Sequence, residues 1–241
     1  MVTYFLVSLI FLLAGFTQGL SGFGSALVAM PLLVMFIDIK KAIPLCILNG
    51  LIITFFLTLQ LWNHIDWKKI MPLFLGCLPG IYVGVTFLKK TNSHIIEISL
   101  GVIVIAYALY GLILRPKPRK ISSSWSYLAG FATGAVGGAF SAGGPPTIIY
   151  TTLKGWSKDD IKATLSGFFF ITGLIIAVAH AFSGLTTIVV LRYFSASILF
   201  VLLGVYAGSL CYSRTNKEAY IRIILGLLVL MGIMMIVSAV K

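Results

Sequence analysis

The chain has 241 residues, of which 59% are hydrophobic and 10% are charged, and its formal net charge is +12 at pH 7. A soluble domain is excluded because it would need more charged surface, whereas about 20 apolar residues per crossing leave room for about eight bilayer crossings. A nucleic-acid partner is not indicated either, because the Lys and Arg residues form small clusters between apolar runs instead of one basic face. We predict a single transmembrane domain over residues 1–241, embedded in the lipid bilayer.

Eight apolar runs, separated by charged or turn-rich breaks, follow one another along the chain. Each is predicted to be helical, because lipid offers no hydrogen-bond partners to the backbone and the alternating pattern of a membrane barrel is absent. The runs are 4–37, 42–62, 70–88, 95–114, 125–153, 161–183, 187–213 and 219–240. The predicted fold class is therefore an all-α polytopic membrane protein with about eight hydrophobic helical segments.

The first and fifth runs are too long for one straight crossing. At about 1.5 Å per residue, run 4–37 would form a helix of about 51 Å and run 125–153 one of about 44 Å, against a hydrocarbon core of about 30 Å. Both runs contain dense glycine and proline stretches, at 19–24, 134–138 and 143–146. Glycine costs about 1 kcal/mol and proline about 3 kcal/mol in a helix interior. We predict that both runs are broken or re-entrant at these glycine-rich stretches.

Residues 115–124 are polar, basic and Pro-rich, which is typical of a linker between two halves. Several residues recur on either side of it at a constant spacing: Ala14, Gly15, Phe16, Gly19, Gly22 and Pro31 correspond to Ala129, Gly130, Phe131, Gly134, Gly137 and Pro146. A second stretch, 79–84, corresponds to 203–208. We predict two homologous repeats, 1–114 and 125–241, an organisation common in transporters, with the substrate site at the repeat interface.

The positions of the basic residues distinguish two topologies. If all eight runs cross the bilayer, one side carries ten Lys and Arg residues and the other carries seven. If the first and fifth runs instead return to the side from which they enter, the division becomes twelve against five. The second arrangement agrees better with the positive-inside rule, and it makes the repeats inverted with the linker in the cytoplasm. Inverted repeats are the preferred prediction, and parallel repeats are the alternative.

The glycine-rich breaks are the candidate substrate site. Where a helix breaks inside a membrane, its free backbone N–H groups and helix N-termini can bind an anion. No carboxylate lies within the middle of a run, so neither an acidic proton relay nor a cation filter is predicted. The predicted substrate-binding residues are Gly19, Ser21, Gly22, Gly24, Ser25, Asn49, Gly137, Gly138, Ser141, Gly143, Gly144, Pro146, Thr147 and Thr164.

Helix packing is the alternative interpretation of several glycines, because small residues spaced four positions apart let two helices approach closely. Gly19 fits this pattern with Gly15, as do the glycines at positions 130 and 134, 76, 80 and 84, and 204 and 208. For these glycines packing is the favoured interpretation, whereas the denser cluster from Gly137 to Pro146 favours a binding site. For Asn49, a ligand contact and a hydrogen bond between helices are equally compatible with the sequence.

Lys162, His180 and the cysteines are predicted to have structural roles. Lys162 is expected at a solvated helix end, and His180 is expected near the membrane interface with its hydrogen bonds satisfied. The three cysteines lie far apart without metal-ligand spacing, and they are expected to be reduced thiols that pack as small hydrophobic groups: Cys46, Cys77 and Cys211. No metal and no cofactor is predicted.

One short motif, taken alone, would indicate an enzyme. The sequence at 19–22 matches the G-x-S-G pattern around the serine of rhomboid intramembrane proteases, and Ala179-His180 resembles the surroundings of their catalytic histidine. The equivalent stretch of the second half, 134–137, has Val136 in the place of Ser21. The glycines therefore belong to the shared architecture, the serine is incidental, and no catalytic residue is predicted.

The sequence resembles the sulfite exporter TauE/SafE family, the TSUP permeases. The resemblance rests on the glycine-rich openings of both halves, the four-plus-four pattern of runs, the basic linker and the Lys162-Ala163-Thr164 stretch. It implies a multi-pass transporter of the prokaryotic cytoplasmic membrane for sulfite, sulfonates or related sulfur-containing anions, often acting as an exporter.

The function predicted from the sequence is a permease that moves a small anion, expected to be a sulfur-containing one, by alternating access. An anion channel of the same architecture is the alternative, and an intramembrane serine protease is the third hypothesis. The predicted partners are the anion and the lipid bilayer. The oligomeric state does not follow from the sequence, and a homodimer is compatible with it.

Overall fold

The computed structural model describes residues 2–113, 122–212 and 217–240, and within these ranges the chain is helical, with short connecting turns and loops and one 3₁₀ turn at Trp62–His64. Residues 115–121 of the predicted linker lie outside the described residues. The α-helices are α1 (Val2–Ser21), α2 (Ser25–Leu33), α3 (Ile39–Gln60), α4 (Trp67–Lys90), α5 (Ser93–Ile113), α6 (Trp125–Phe140), α7 (Gly144–Leu153), α8 (Lys158–Phe182), α9 (Ile188–Cys211) and α10 (Lys217–Val240).

Six of the described helices are long and apolar enough to cross a membrane: α1, α3, α4, α5, α8 and α9. In α10 the stretch Leu228–Val237 is a further apolar segment. The short helices α2 and α7 have nine and ten residues. At about 1.5 Å per residue they reach only about half of a hydrocarbon core of about 30 Å. The chain is thus an all-helical, multi-pass membrane protein.

Two of the predicted runs are divided into two helices each, so that eight runs correspond to ten α-helices among the described residues. The first break covers residues 22–24, where Gly22 and Gly24 have φ angles of 86° and 93°. The second covers 141–143 and begins at Ser141, with φ 57°. These left-handed conformations end a helix and favour glycine. A break in the first run and one in the fifth run are therefore confirmed, whereas the predicted break at 134–138 was wrong, because that stretch lies inside α6.

Two helix pairs, α1 with α9 and α4 with α6, pack closely along rows of glycine. A Cβ atom at Gly15 would lie 2.7 Å from the carbonyl oxygen of Val201. Along α1 and α9 the residue numbers of the contacting pairs increase together, from Leu12 with Gly204 to Phe16 with Gly208. The contacts between α4 and α6 follow the same order. Both pairs therefore run parallel, and their backbones are in direct contact.

Two other pairs, α3 with α8 and α5 with α10, run antiparallel. Leu51 of α3 lies beside Gly173 of α8, and the rings of Phe55 and Phe170 are 5.5 Å apart. In the α5–α10 pair, Gly101 faces residues 232 and 236, whereas Gly111 faces Leu225. Residue numbers rise along one helix while they fall along its partner, so each pair has opposite directions.

Contacts between side chains of different loops show which loops lie at the same end of the helix bundle. At the linker end, defined by residues 61–69, 122–126, 154–160 and 212, the Nζ atom of Lys69 is 3.9 Å from Asp160 Oδ2 and 4.9 Å from the Trp156 ring. At the far end, defined by residues 34–41, 91–94, 183–187 and 239, Ser93 donates a 3.2 Å hydrogen bond to Asp38.

The pairs α1–α2 and α6–α7 each enter and leave the bundle at one end. Lys154, which follows α7, donates a 3.4 Å hydrogen bond to Ser123, which precedes α6, so both ends of this hairpin lie at the linker end. Helix α1 is parallel to α9, which starts at the far end, and Asp38 follows α2 at that same end. The two hairpins therefore approach each other from opposite ends.

Replacement of Gly80 or Gly204 by Ala should lower the thermal stability of the detergent-solubilised protein. The new Cβ would lie well within 3.0 Å of the carbonyl oxygen of Phe131 or Leu12, and such overpacking costs about 1–3 kcal/mol. Gly226→Ala is the matched control, because no atom lies within 4 Å of its Cβ position. Equal melting temperatures for all three variants would contradict the close parallel contacts.

Candidate functional site

A cavity of about 90 Å³ lies where the two breaks meet the middle of α3 and α8. No charged side chain is among its described lining residues. Its polar side chains are one amide, two thiols and five hydroxyls: Gln18, Cys46, Cys77, Ser25, Thr54, Thr133, Ser141 and Thr172. Drug-sized ligands occupy pockets of about 300–1,000 Å³, so this cavity suits a much smaller solute.

Six of the fourteen predicted site residues line this cavity, and all six belong to the breaks or to the helix ends beside them. They are Gly24, Ser25, Gly137, Ser141, Gly143 and Gly144. The structure thus brings residues of the two breaks, which are more than a hundred positions apart in sequence, to one cavity. Their predicted contact with a substrate stays a prediction.

The other eight predicted residues lie outside the cavity lining: Gly19, Ser21, Gly22, Asn49, Gly138, Pro146, Thr147 and Thr164. Asn49 accepts a 3.0 Å hydrogen bond from Ser197 of α9, so it joins two helices. Thr147 shares a hydrogen bond with Thr133, which does line the cavity. Pro146 lies in the first turn of α7, and the buried Thr164 hydroxyl has no hydrogen-bond partner among the described residues.

Sequence reasoning missed several lining residues, of which Gln18 is the most informative. Its side chain is buried in the last turn of α1, and its Oε1 atom accepts a hydrogen bond from Ser25. The amide N–H groups are therefore the remaining donors of this side chain. An amide one turn before a glycine-rich break is the signal that could have identified it. Thr54 and Thr172, which face the cavity from α3 and α8, stand in apolar runs without any such marker.

The helix N-termini at the cavity differ in the number of backbone donors that they offer. The first-turn residues Ser25, Ala26 and Leu27 of α2 all line the cavity, and first-turn N–H groups have no intrahelical partner. In α7 the corresponding turn contains Pro145 and Pro146, which have no N–H group. Helix α2 therefore offers more free backbone N–H groups to the cavity than α7 does. The positive ends of both helix dipoles lie at the cavity.

Lys162 is buried, with only 6% of its surface exposed, so the prediction of a solvated helix end was wrong. Its Nζ atom donates a 2.8 Å hydrogen bond to the carbonyl oxygen of Gly19 and lies 3.7 Å from the ring centre of Tyr212. The side chain packs against the first break, because a Cβ atom at Gly22 would lie 2.8 Å from Lys162 Cγ. Because Gly22 has no side chain, the lysine can fill this space.

Tyr212 connects this lysine to an acid at the linker end. Its hydroxyl donates a hydrogen bond to Asp159, which lies in the first turn of α8. Burial, together with the hydrogen bond to Asp159 and the charge of that carboxylate, raises the pKa of the Tyr212 phenol. The phenol therefore stays protonated and remains a hydrogen-bond donor at neutral pH.

His180 is fully buried in the last turn of α8, and it contacts the second broken helix. The prediction that its hydrogen bonds are satisfied was wrong for Nδ1, which has no hydrogen-bond partner among the described residues. Its Nε2 atom lies 2.9 Å from the carbonyl oxygen of Gly138. A carbonyl only accepts, so Nε2 carries the proton. Ser21 donates instead to the carbonyl oxygens of Thr17 and Phe23. The two side chains that a rhomboid-like site would pair therefore have separate partners.

Comparisons with known proteins identify the family of the chain. The family profile described as "Sulfite exporter TauE/SafE" matches residues 7–235. A protein of Cupriavidus necator named "Probable sulfite/organosulfonate exporter TauE" is 25% identical over 127 residues, which cover 51% of this chain and 49% of that protein. The matched part thus spans about half of the relative's length, and no solved structure matches the chain. Because the profile covers nearly the whole sequence, the chain belongs to the sulfite exporter TauE/SafE family of membrane transporters.

Proposed function

We propose that this protein is a permease of the cytoplasmic membrane that moves a small sulfur-containing anion, such as sulfite or a sulfonate, by alternating access, and that it acts as an exporter. The observation that carries the proposal is the uncharged cavity at the two helix breaks, which the positive ends of α2 and α7 face. Family membership supports the substrate class, as does the printed name of the Cupriavidus necator relative.

Neutral donors supply the direct contacts to such an anion. A helix N-terminus acts as about half a positive charge, so the first turns of α2 and α7 attract an anion wherever the carbonyl groups of the preceding helix are themselves hydrogen-bonded. The N–H groups of Ser25, Ala26 and Leu27, together with the side-chain amide of Gln18, supply directional hydrogen bonds. Because these charges are partial and fixed, binding is expected to be reversible, as transport requires.

Inverted repeats are the second part of the proposal. The last residues of α1 and α6, Ser21 and Phe140, are 119 positions apart, and so are Ser25 and Gly144, the first residues of α2 and α7. The glycine contacts repeat in the same register: Gly15 faces residues 201 and 205, and Gly134 faces residues 77 and 81. The antiparallel pairs α3–α8 and α5–α10 are then equivalent helices in opposite orientation, which supports inversion.

This arrangement supports alternating access. Two re-entrant hairpins, α1–α2 from the far end and α6–α7 from the linker end, meet at one cavity. A rigid-body displacement of one hairpin would open a path to one end, and the equivalent displacement of the other hairpin would open the opposite path. The division of Lys and Arg residues in the sequence, twelve on the side of the linker against five on the other, supports a cytoplasmic location of the linker end.

Purified protein in liposomes should transport sulfite and should accumulate labelled substrate in counterflow, when unlabelled substrate is present inside. A channel of the same architecture would show flux without counterflow. Gly50→Leu should reduce the flux to background, because Gly50 lines the cavity and the new side chain would fill empty space. Gly226→Leu is the control, because its Cβ position is equally open but lies in α10, away from the cavity. Equal flux in both variants would exclude this cavity from the transport path.

Gln18→Leu should weaken sulfite binding by about tenfold or more, because a hydrogen bond to a charged group contributes about 1.5–3 kcal/mol. Ser25→Ala should weaken it less, because it keeps the backbone N–H group and removes only the hydroxyl that holds the Gln18 side chain. Ser195→Ala is the matched control, because its hydroxyl is exposed and bonds to Leu191 of its own helix. Isothermal calorimetry on the folded variants provides the measurement. Wild-type affinity in both cavity variants would show that these donors do not contact the anion.

Single cysteines at positions 123 and 183, in a background without Cys46, Cys77 and Cys211, should react with a membrane-impermeant reagent from opposite faces. Ser123 lies at the linker end and Ser183 follows α8 at the far end. The position 183 cysteine should react in intact cells, and the position 123 cysteine only after permeabilisation. Labelling of both from one face would contradict the re-entrant α6–α7 hairpin.

A further inference from the structure

We propose that Lys162 and His180 are positioning residues that make the two breaks selective for anions, by occupying carbonyl groups at the ends of α1 and α6. The inference rests on the proposed function, since it concerns how the same cavity recognises its substrate. Both side chains belong to α8, which contributes to the cavity through its middle residues.

The need for such residues follows from the geometry of a broken helix. Each break places the C-terminus of one helix beside the N-terminus of the next. A C-terminus carries about half a negative charge, and an N-terminus about half a positive charge, so that the two nearly cancel at a nearby site. The unpaired carbonyl oxygens of the last turn would also repel an anion. A break by itself is therefore not selective for anions.

The carbonyl groups are occupied in the same way at both breaks. In α1 the carbonyl of Gln18 accepts a 2.7 Å hydrogen bond from the N–H group of Gly22, and the next carbonyl, of Gly19, accepts from Lys162 Nζ. In α6 the carbonyl of Gly137 accepts a 2.8 Å bond from Ser141, and the next, of Gly138, accepts from His180 Nε2. Gly19 and Gly138 are 119 positions apart, in the register of the helix ends.

The two donors are chemically different, and this difference affects the two breaks unequally. Lys162 adds a positive charge next to Gly22 of the first break, and residues 23 and 24 of the same break line the cavity. His180 supplies an N–H donor to the second break. The first break thus combines the buried ammonium with the three backbone donors of α2, and it is the stronger half of the anion site.

Burial strengthens the argument for Lys162. A buried ammonium group is unfavourable unless hydrogen bonds and charges around it compensate for the lost water. Here the Gly19 carbonyl and the face of the Tyr212 ring are two of its contacts. A methionine of similar length would fill the same space without this cost, so stability alone does not explain a lysine at this position.

The test compares methanesulfonate with dimethyl sulfone, an uncharged compound of nearly the same shape, in binding to purified full-length protein. Lys162→Met should lower the affinity for methanesulfonate by about tenfold or more relative to dimethyl sulfone, since the charge lies close to the cavity in a poorly screened region. Lys162→Arg should restore most of this preference. Lys68→Met, which removes an exposed lysine at the same end, should leave the preference unchanged.

A second pair of variants tests the other break and does not depend on the folding of the lysine variants. His180→Gln retains an N–H donor for Gly138 and should keep the anion preference, whereas His180→Leu should reduce it. If folded Lys162→Met keeps the wild-type preference, or if the two His180 variants behave alike, the inference is overturned. If the wild type binds no anion at all, the proposed function itself fails. Melting temperatures identify variants that are simply unfolded.

Discussion

Inside a lipid bilayer every backbone N–H and C=O group must find a partner within the protein, and the rest of this structure depends on how that constraint is met at two helix breaks. Residues 22–24 and 141–143 interrupt helices at a cavity, where continuous helix would have satisfied the backbone. At each break, two carbonyl groups of the preceding helix accept hydrogen bonds. One bond comes from the backbone N–H group of Gly22 or Ser141, and the other comes from a side chain of α8. The first-turn residues of α2 line the cavity, and in our proposal this imbalance makes the cavity selective for anions.

Short hairpins cannot hold such a geometry by themselves. Helices α2 and α7 are too short to cross the bilayer, so their positions depend on α1 and α6, which pack through glycine rows against α9 and α4. Backbone contact leaves little freedom for sliding, because a helix displaced by one residue would place side chains where Gly15 or Gly80 now allows contact. We infer that these two parallel pairs form rigid units and that transport moves them as units.

Much of this architecture can be predicted from the sequence, because glycine and proline have strong local effects on helices. The helical class, both breaks and the packing glycines follow from such signals. The repeat stays a proposal, and its register is not fixed by the sequence: a spacing of 115 positions matches Gly15 to Gly130, whereas the ends of the broken helices correspond at 119. The two differ by about one helical turn, and glycines repeated every four residues fit both registers equally well. Lys162 was misjudged and Gln18 was missed, because burial depends on neighbouring helices, which a single run does not reveal.

The chemistry of the two halves is less symmetric than their geometry. At the first break, α2 offers three backbone donors and a buried lysine binds the preceding helix. At the second break, the first turn of α7 contains two prolines and a histidine binds the preceding helix. In the proposed inverted repeat, the two hairpins would exchange roles between the inward-open and outward-open states. The anion would then leave a different set of donors on each side. Because the α1–α2 hairpin holds the stronger donors, its displacement would loosen the anion more than displacement of α6–α7. The proposed mechanism thus implies unequal affinity in the two states and a preferred side for substrate release.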